Sequence, residues 1–198
     1  MFIQYIQGKC QRPADLRRLM ERWQDELSPT ATGWLGGTYG FANNTDTFCA
    51  VVRFESREKA MENSSRREQD QWFNEMQKCF IGPLEFANCD EVALMLDGGS
   101  DSAGFVQVMR GRVLDGERLR RLVQHDDQLR EMRPEIIGGT FAVADDGTFV
   151  NTVAFTDEEA ARRGEQQEMP EDVADDMAAA VTDITYLDLH DPWFTSPS

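Results

Sequence analysis

Residues Trp34–Phe41 read WLGGTYGF, and residues Ile136–Val143 read IIGGTFAV. Gly-Gly-Thr followed by an aromatic thus occurs twice, each time inside an apolar run where paired glycines weaken a strand. Either a ligand loop is used twice, or one module has been copied. Working outward decides for the copy. FIQYIQG (Phe2–Gly8) lies over FVQVMRG (Phe105–Gly111) at an offset of 103, and DLRRLM (Asp15–Met20) lies over RLRRLV (Arg118–Val123) at the same offset. The glycine pairs follow at 102, and TFCAVVRF (Thr47–Phe54) falls on TFVNTVAF (Thr148–Phe155) at 101. Met76 then meets Met177 and Asp90 meets Asp191, still at 101. Matches in order, with drift only at loop-like stretches, make the chain a tandem duplication.

Each copy carries the same pattern. An apolar strand (Phe2–Gly8; Phe105–Arg112) precedes an amphipathic helix (Pro13–Leu27; Gly116–Met132). In the first helix Leu16, Leu19, Met20, Trp23 and Leu27 recur at helical spacing, and Pro13 suits an early helical position. A hairpin follows: Trp34–Ala42 with Thr47–Phe54, then Glu135–Ala144 with Thr148–Phe155. Asp145-Asp146-Gly147 is its tight turn in the second copy, and ANNTD is the looser equivalent. Ser56 and Asp157 are N-cap candidates for a second helical region. In the second copy Gly164 and Pro170 are expected to break it. A last strand closes each copy, near Leu84–Cys89 and Ile184–Leu189.

The order is βαββαβ, twice, which is the ferredoxin-like unit. The fold class is therefore α+β, with units over residues 1–96 and 105–198 and a Gly/Ser/Asp-rich linker, DGGSDSAG, over 97–104. Such a sheet carries helices on one face and needs a cover on the other. The first strands are apolar on both faces, so the two sheets are expected to pack face to face, the copies imitating a dimer within one chain. VALML (Val92–Leu96) and PWF (Pro192–Phe194) align with each other and are expected to cross over and tie the halves together.

Bulk composition narrows the function classes. The 198 residues are 40% hydrophobic and 28% charged, which is globular. A net charge of −16 repels phosphate backbones and argues against nucleic acid as partner. Lys occurs only at 9, 59 and 78, and the other cations are Arg. This acidic, Lys-poor surface fits a GC-rich genome or a salt-adapted host better than an acidic docking face. Cys10, Cys49, Cys79 and Cys89 form no C-x-x-C and read as buried free thiols of a reducing cytoplasm. The N-terminus lacks a basic region and a long apolar run, so no signal peptide is expected. No stretch approaches the ~20 apolar residues of a membrane span. A cytoplasmic protein without membrane contact is the expectation, with a further homodimer left open.

The residues GWLGGTYGF…TFCAVVRFESREKAMENS, echoed more weakly in EIIGGTFAV…TFVNTVAFTDEEAARR, resemble the antibiotic-biosynthesis-monooxygenase-like domains of the dimeric α/β-barrel superfamily. The resemblance spans nearly the whole chain in two passes. Its motifs are structural, and the superfamily includes cofactor-independent quinone-forming monooxygenases, haem-degrading enzymes, isomerases and members without known activity. The haem-degrading branch implies an amide in the first strand, an aromatic early in the second helix and a ligating His further on. Gln4 and Gln107 take the amide position, Asn63 and Gly164 the aromatic one, and Trp72 and Val173 the His position. The ligand is missing from both copies. The chain's two histidines, His125 and His190, fall elsewhere, so haem is disfavoured and no cofactor is expected.

The cofactor-independent branch implies an aromatic substrate in an apolar cavity between sheet and second helix, oriented by a few polar side chains that stabilise a developing oxyanion. Gln4, Trp23, Asn63, Arg67, Trp72, Phe73 and Met76 are the candidate ligand-binding residues. Trp23, Trp72, Phe73 and Met76 read first as core, and Gln4, repeated as Gln107, serves equally in a structural hydrogen bond. DVADDMAAAV in the second copy is small and acidic, so a pocket is expected in the first copy only. G-x-S-x-G, H-E-x-x-H, Walker and G-x-G-x-x-G patterns are absent. DDMAAAVTD and the His125–Asp127 run read as solvated helix faces rather than cation sites. Two readings follow: a pseudo-dimeric protein that binds a small aromatic or apolar molecule, with monooxygenase activity, or a non-catalytic binding or assembly protein on the same fold.

Overall fold

A computed structural model describes residues 1–42, 45–99, 101–123, 130–167 and 170–197. In the first half, β1 (Phe2–Cys10) leads to α1 (Pro13–Glu26), the hairpin β2 (Trp34–Phe41) and β3 (Thr47–Phe54), the helices α2 (Arg57–Ser64) and α3 (Arg67–Gln77), and β4 (Phe80–Met95). In the second half, β5 (Phe105–Val113) leads to α4 (Gly116–Val123), β6 (Ile136–Ala144), β7 (Thr148–Phe155), α5 (Glu158–Glu165), α6 (Glu171–Ala180), β8 (Val181–Leu189) and the short β9 (Trp193–Thr195). The βαββαβ order is therefore present twice.

The second helical region is broken in both halves, where the sequence predicts a break in the second copy only. It is two helices in each half, and Arg66, extended at φ −69° and ψ 134°, makes the break in the first. Its guanidinium reaches the carbonyl of Leu27 at 3.3 Å and Asn63 Oδ1 at 2.9 Å, so the kink is pinned to the loop after α1. The caps are where the sequence puts them: Ser56 Oγ accepts from Lys59 N at 3.3 Å and Asp157 Oδ1 from Ala160 N at 2.7 Å. Gly164 stays inside α5, where a Cβ would fall 1.9 Å from Glu135 Oε1. Pro170 is the N-cap of α6.

The nine strands form one antiparallel sheet in the order β8-β5-β7-β6-β4-β1-β3-β2-β9. Two exchanges join the halves. The last strand of the first half runs on past Cys89 and pairs Glu91–Met95 with β6, and β9 pairs Trp193–Thr195 with β2. The VALML and PWF segments are thus reciprocal crossovers, and a bridge between Ala42 and Leu189 brings β2 to β8 and closes the barrel.

Alternation along the strands separates two kinds of core. Ile3, Tyr5, Cys49 and Val51 of the first half pack with Val106, Val108, Val150 and Leu189 of the second, filling the space between the facing sheets. Phe2, Ala50, Phe48 and Phe54 face the other way, under α1 and α3, with Leu16, Met20, Trp23 and Trp72. The second half has smaller outer clusters, one around Phe141, Phe149 and Leu119 and one around Phe105 and Phe155.

The glycine pairs sit at matching irregularities. Pairing shifts register between Trp34 and Gly36 in β2 and between Ile136 and Gly138 in β6. These are bulges, which bend the strand as a closing sheet requires. Gly36 takes φ +119°, which a side chain disfavours, and a Cβ on Gly138 would fall 1.8 Å from the Gly98 carbonyl oxygen. Gly37 lies under the Tyr39 ring, whose hydroxyl would be 2.0 Å from an added Cβ.

Candidate functional site

A cavity of about 300 Å³ lies between the first half's sheet and its helices. β1 contributes Gln4 and Ile6, and β2 and β3 contribute Tyr39, Phe48, Ala50 and Val52. Across from them stand Met20 and Trp23 of α1, Asn63 of α2, and Trp72, Phe73 and Met76 of α3. Helical spacing delivers these last: Trp72 and Met76 are four apart and both buried on one face. Six of the seven residues expected from the sequence therefore line one space. Arg67 does not. It is exposed at the first position of α3, on the solvent side, and the neighbouring Arg66 is the arginine that bears on the site, through Asn63.

Most polar groups on the walls have structural partners. The indole Nε1 of Trp72 donates to the Leu19 carbonyl at 2.7 Å, and that of Trp23 donates to Gln69 Oε1 at 2.6 Å. The two rings lie 6.3 Å apart, and Trp34 packs edge-on against Trp23 at 4.9 Å. The Tyr39 hydroxyl accepts from Thr195 Oγ1 at 3.1 Å, and burial pushes its pKa up to about 12. It is a neutral phenol at physiological pH. Gln4 Nε2 donates to Asn88 Oδ1 at 3.1 Å, its cross-strand neighbour on β4. Asn63, only 5% exposed, accepts from Arg66 through Oδ1. What remains for a guest is an amide acceptor on the sheet side, Gln4 Oε1, and an amide donor on the helix side, Asn63 Nδ2. Gln69, Asp70 and Ser64 add polar groups, and Phe86, 45% exposed, stands against Phe73 at 6.2 Å.

Sequence reasoning does not single out Tyr39, Phe54, Gln69 or Phe86. Tyr39 carries the one available signal, since it is two residues beyond Gly37 and so on the same face. Gln69 and Phe86 come from elements whose relative placement only the tertiary structure sets.

The second half treats the equivalent positions differently. Gln107 Nε2 donates to Asp188 Oδ1 at 2.9 Å, repeating the Gln4–Asn88 bond, and to Glu165 Oε1 at 3.1 Å. Arg162 pairs with Glu165 and Asp188 in the same cluster. Ion pairs thus surround the amide that faces a cavity in the first half. His190 Nδ1 lies 2.8 Å from Glu158 Oε2, and His125 falls outside the described residues. Asp176 of the acidic helix is paired with Arg118 at 3.0 Å. Among the described residues, no three His, Cys, Asp or Glu side chains converge to hold a metal ion, and no helix is long and apolar enough to cross a membrane.

Comparison with known proteins gives likeness in structure alone. No family model and no curated protein matches the sequence. Among solved structures, a presumed monooxygenase from Lactobacillus acidophilus is similar with a TM-score of 0.73 at 10% identity, covering 98% of this chain and 99% of that one. A protein of the same description from Fusobacterium nucleatum gives 0.74 at 9% identity, covering 100% and 95%. An anthrone oxidase-like protein gives 0.71 at 10% identity, covering 98% and 92%. Full-length coverage means that the likeness spans both halves of the chain. The chain shares the fold of these monooxygenase-like structures, a barrel whose two ferredoxin-like halves are supplied by one duplicated chain.

Proposed function

We propose that the first half binds a small aromatic molecule bearing a hydroxyl or carbonyl group in the cavity between β1, β3 and α3. The observation that carries this reading is the pairing of an apolar wall with two amides left half-used, Gln4 and Asn63. A phenolic hydroxyl donates to Gln4 Oε1, and a carbonyl or phenolate oxygen accepts from Asn63 Nδ2. About 300 Å³ is the lower end of the range for small-molecule pockets, which suits one to three fused rings.

Oxygenation without a resident cofactor extends this reading, and the anthrone oxidase-like and monooxygenase-like structural neighbours favour it. An electron-rich phenol or anthrone supplies the electrons itself. In an anthrone the ring CH2 becomes C=O, and in a phenol a ring C–H and the O–H give up the two hydrogens to form a quinone. In both, O2 is reduced, one oxygen entering the product and the other leaving as water. Solvent takes the acidic proton of the substrate beforehand, and Asn63 Nδ2 stabilises the oxyanion that remains. Haem has no place in this scheme, because Trp72 stands where the ligating His is required and an indole does not bind iron.

The test is a thermal-shift and tryptophan-fluorescence titration with hydroquinones, naphthoquinols and anthrones, followed by oxygen uptake on any compound that binds. Binding is expected to quench Trp23 and Trp72 and to weaken at least tenfold in Asn63→Ala. Absence of binding by every ring class sinks the proposal. Binding without oxygen uptake returns the chain to a non-catalytic binding role.

A further inference from the structure

The two crossovers are symmetric in backbone and unlike in side chain. β9 pairs Trp193 with Tyr39, and β4 pairs Ala93 with Phe141. Tyr39 and Phe141 are equivalent in the repeat, so Ala93 occupies the place of Trp193. In the first half the indole fills that place. It stacks on Tyr39 at 5.8 Å, lies 6.0 Å from both Phe41 and Phe48, and carries the Arg17 guanidinium 4.0 Å above its ring. In the second half the shell is retained without the indole. Leu119 and Arg120 stand for Leu16 and Arg17, Phe141 for Tyr39 and Val143 for Phe41. The result is an open hollow of about 770 Å³ between α4 and the sheet, lined by these residues with Ala93 and Val113.

We infer that this hollow is a second ligand site, for an uncharged planar aromatic ring of indole size seated between Phe141 and Arg120. The first half supplies the template for the occupant, because its own Trp193 fills the equivalent shell. The chemistry of the walls agrees. Phe141 and Val143 offer an apolar floor, and an arginine over a ring face contributes attraction that an aliphatic guest does not draw. Charges at the rim are already paired. Arg57 bridges Asp90 and Asp145, and Arg120 Nη2 donates to Glu91 at 2.9 Å, which favours a neutral guest over an anion or a cation. The site is separate from the cavity of the first half, shares no lining residue with it, and does not depend on the function proposed there.

Indole itself is the probe, titrated into the full chain with amide resonances observed by NMR. The amides of Ala93, Leu119 and Val143 are expected to shift saturably. Ala93→Trp restores the missing side chain and is expected to abolish those shifts. Arg120→Gln, an exposed change that leaves the fold intact, is expected to weaken them about two- to fivefold, the loss of one cation–π contact. Shifts confined to residues around Trp72 and Met76, absence of shifts, or shifts that survive unchanged in Ala93→Trp or Arg120→Gln overturn the inference.

Discussion

Replacing Trp193 by alanine tests whether the C-terminal crossover holds the barrel together. The indole is part-buried, stacked on Tyr39 and covered by Arg17. A fully buried Trp→Ala change costs about 3–5 kcal/mol, so the part-buried ring is worth roughly 2 kcal/mol of packing. Loss of the guanidinium contact adds about 0.5–1 kcal/mol. The sum, about 2.5–3 kcal/mol, corresponds to a fall in Tm of about 5–12 °C for a chain of this size. Circular dichroism melts of wild type, Trp193→Ala, Arg17→Ala and the double variant measure it. The double-mutant cycle isolates the Arg17–Trp193 coupling, expected at about 0.5–1 kcal/mol. A Tm change under about 2 °C, or a coupling of zero, refutes the claim that this ring anchors β9 to β2. Ala93→Trp is the mirror experiment, adding to the second half the contact that this one removes.

Two further outcomes follow from local chemistry. Ser56→Ala and Asp157→Ala each remove an N-cap acceptor and are expected to lower stability by about 1 kcal/mol apiece, additively, because the caps lie in different halves; urea titration reads both. Burial pushes the Cys49 and Cys89 thiols from an ordinary 9.0 up to about 12. Their neutral forms belong to the folded state, and the unfolded chain releases these protons first. This contribution to stability is therefore whole below pH 9 and is lost as pH rises from 9 towards 12, by about 1.4 kcal/mol per thiol per pH unit. Urea melts at about pH 8 and about pH 10 are expected to show the fall, and a Cys49→Ala, Cys89→Ala variant to flatten it; an equal fall in that variant removes the thiols as its cause.

The repeat was legible because duplication leaves offsets that survive substitution. Those offsets carry the element order, both N-caps and the reciprocal crossovers with them. Part of the first cavity was legible through the resemblance to monooxygenase-like domains, which pointed to Gln4, Trp23, Asn63, Trp72, Phe73 and Met76 among its lining residues. Arg67 lies outside the cavity for a physical reason. It is one residue past a helix break, and a one-residue change of phase on a helix rotates a side chain by about 100°, from the cavity to solvent. Arg66, just before the break, took the inward role by bonding Asn63 and the Leu27 carbonyl. No local pattern announces that break. It depends on a carbonyl from the loop after α1, nearly forty residues earlier in the chain.

Sequence alone determined what is periodic or repeated: two βαββαβ copies, their apolar faces, the paired glycines and the positions of the caps. Tertiary structure alone decided what depends on distance between elements. It closed the barrel at Ala42 and Leu189, and set Tyr39, Gln69 and Phe86 around one cavity. It also showed that Ala93 and Trp193, unremarked in two short apolar tails, stand at one equivalent place, empty in one half and filled in the other. Periodicity is a property of neighbours along the chain. A cavity belongs to side chains brought together from residues far apart, and its size follows from packing that no single segment contains.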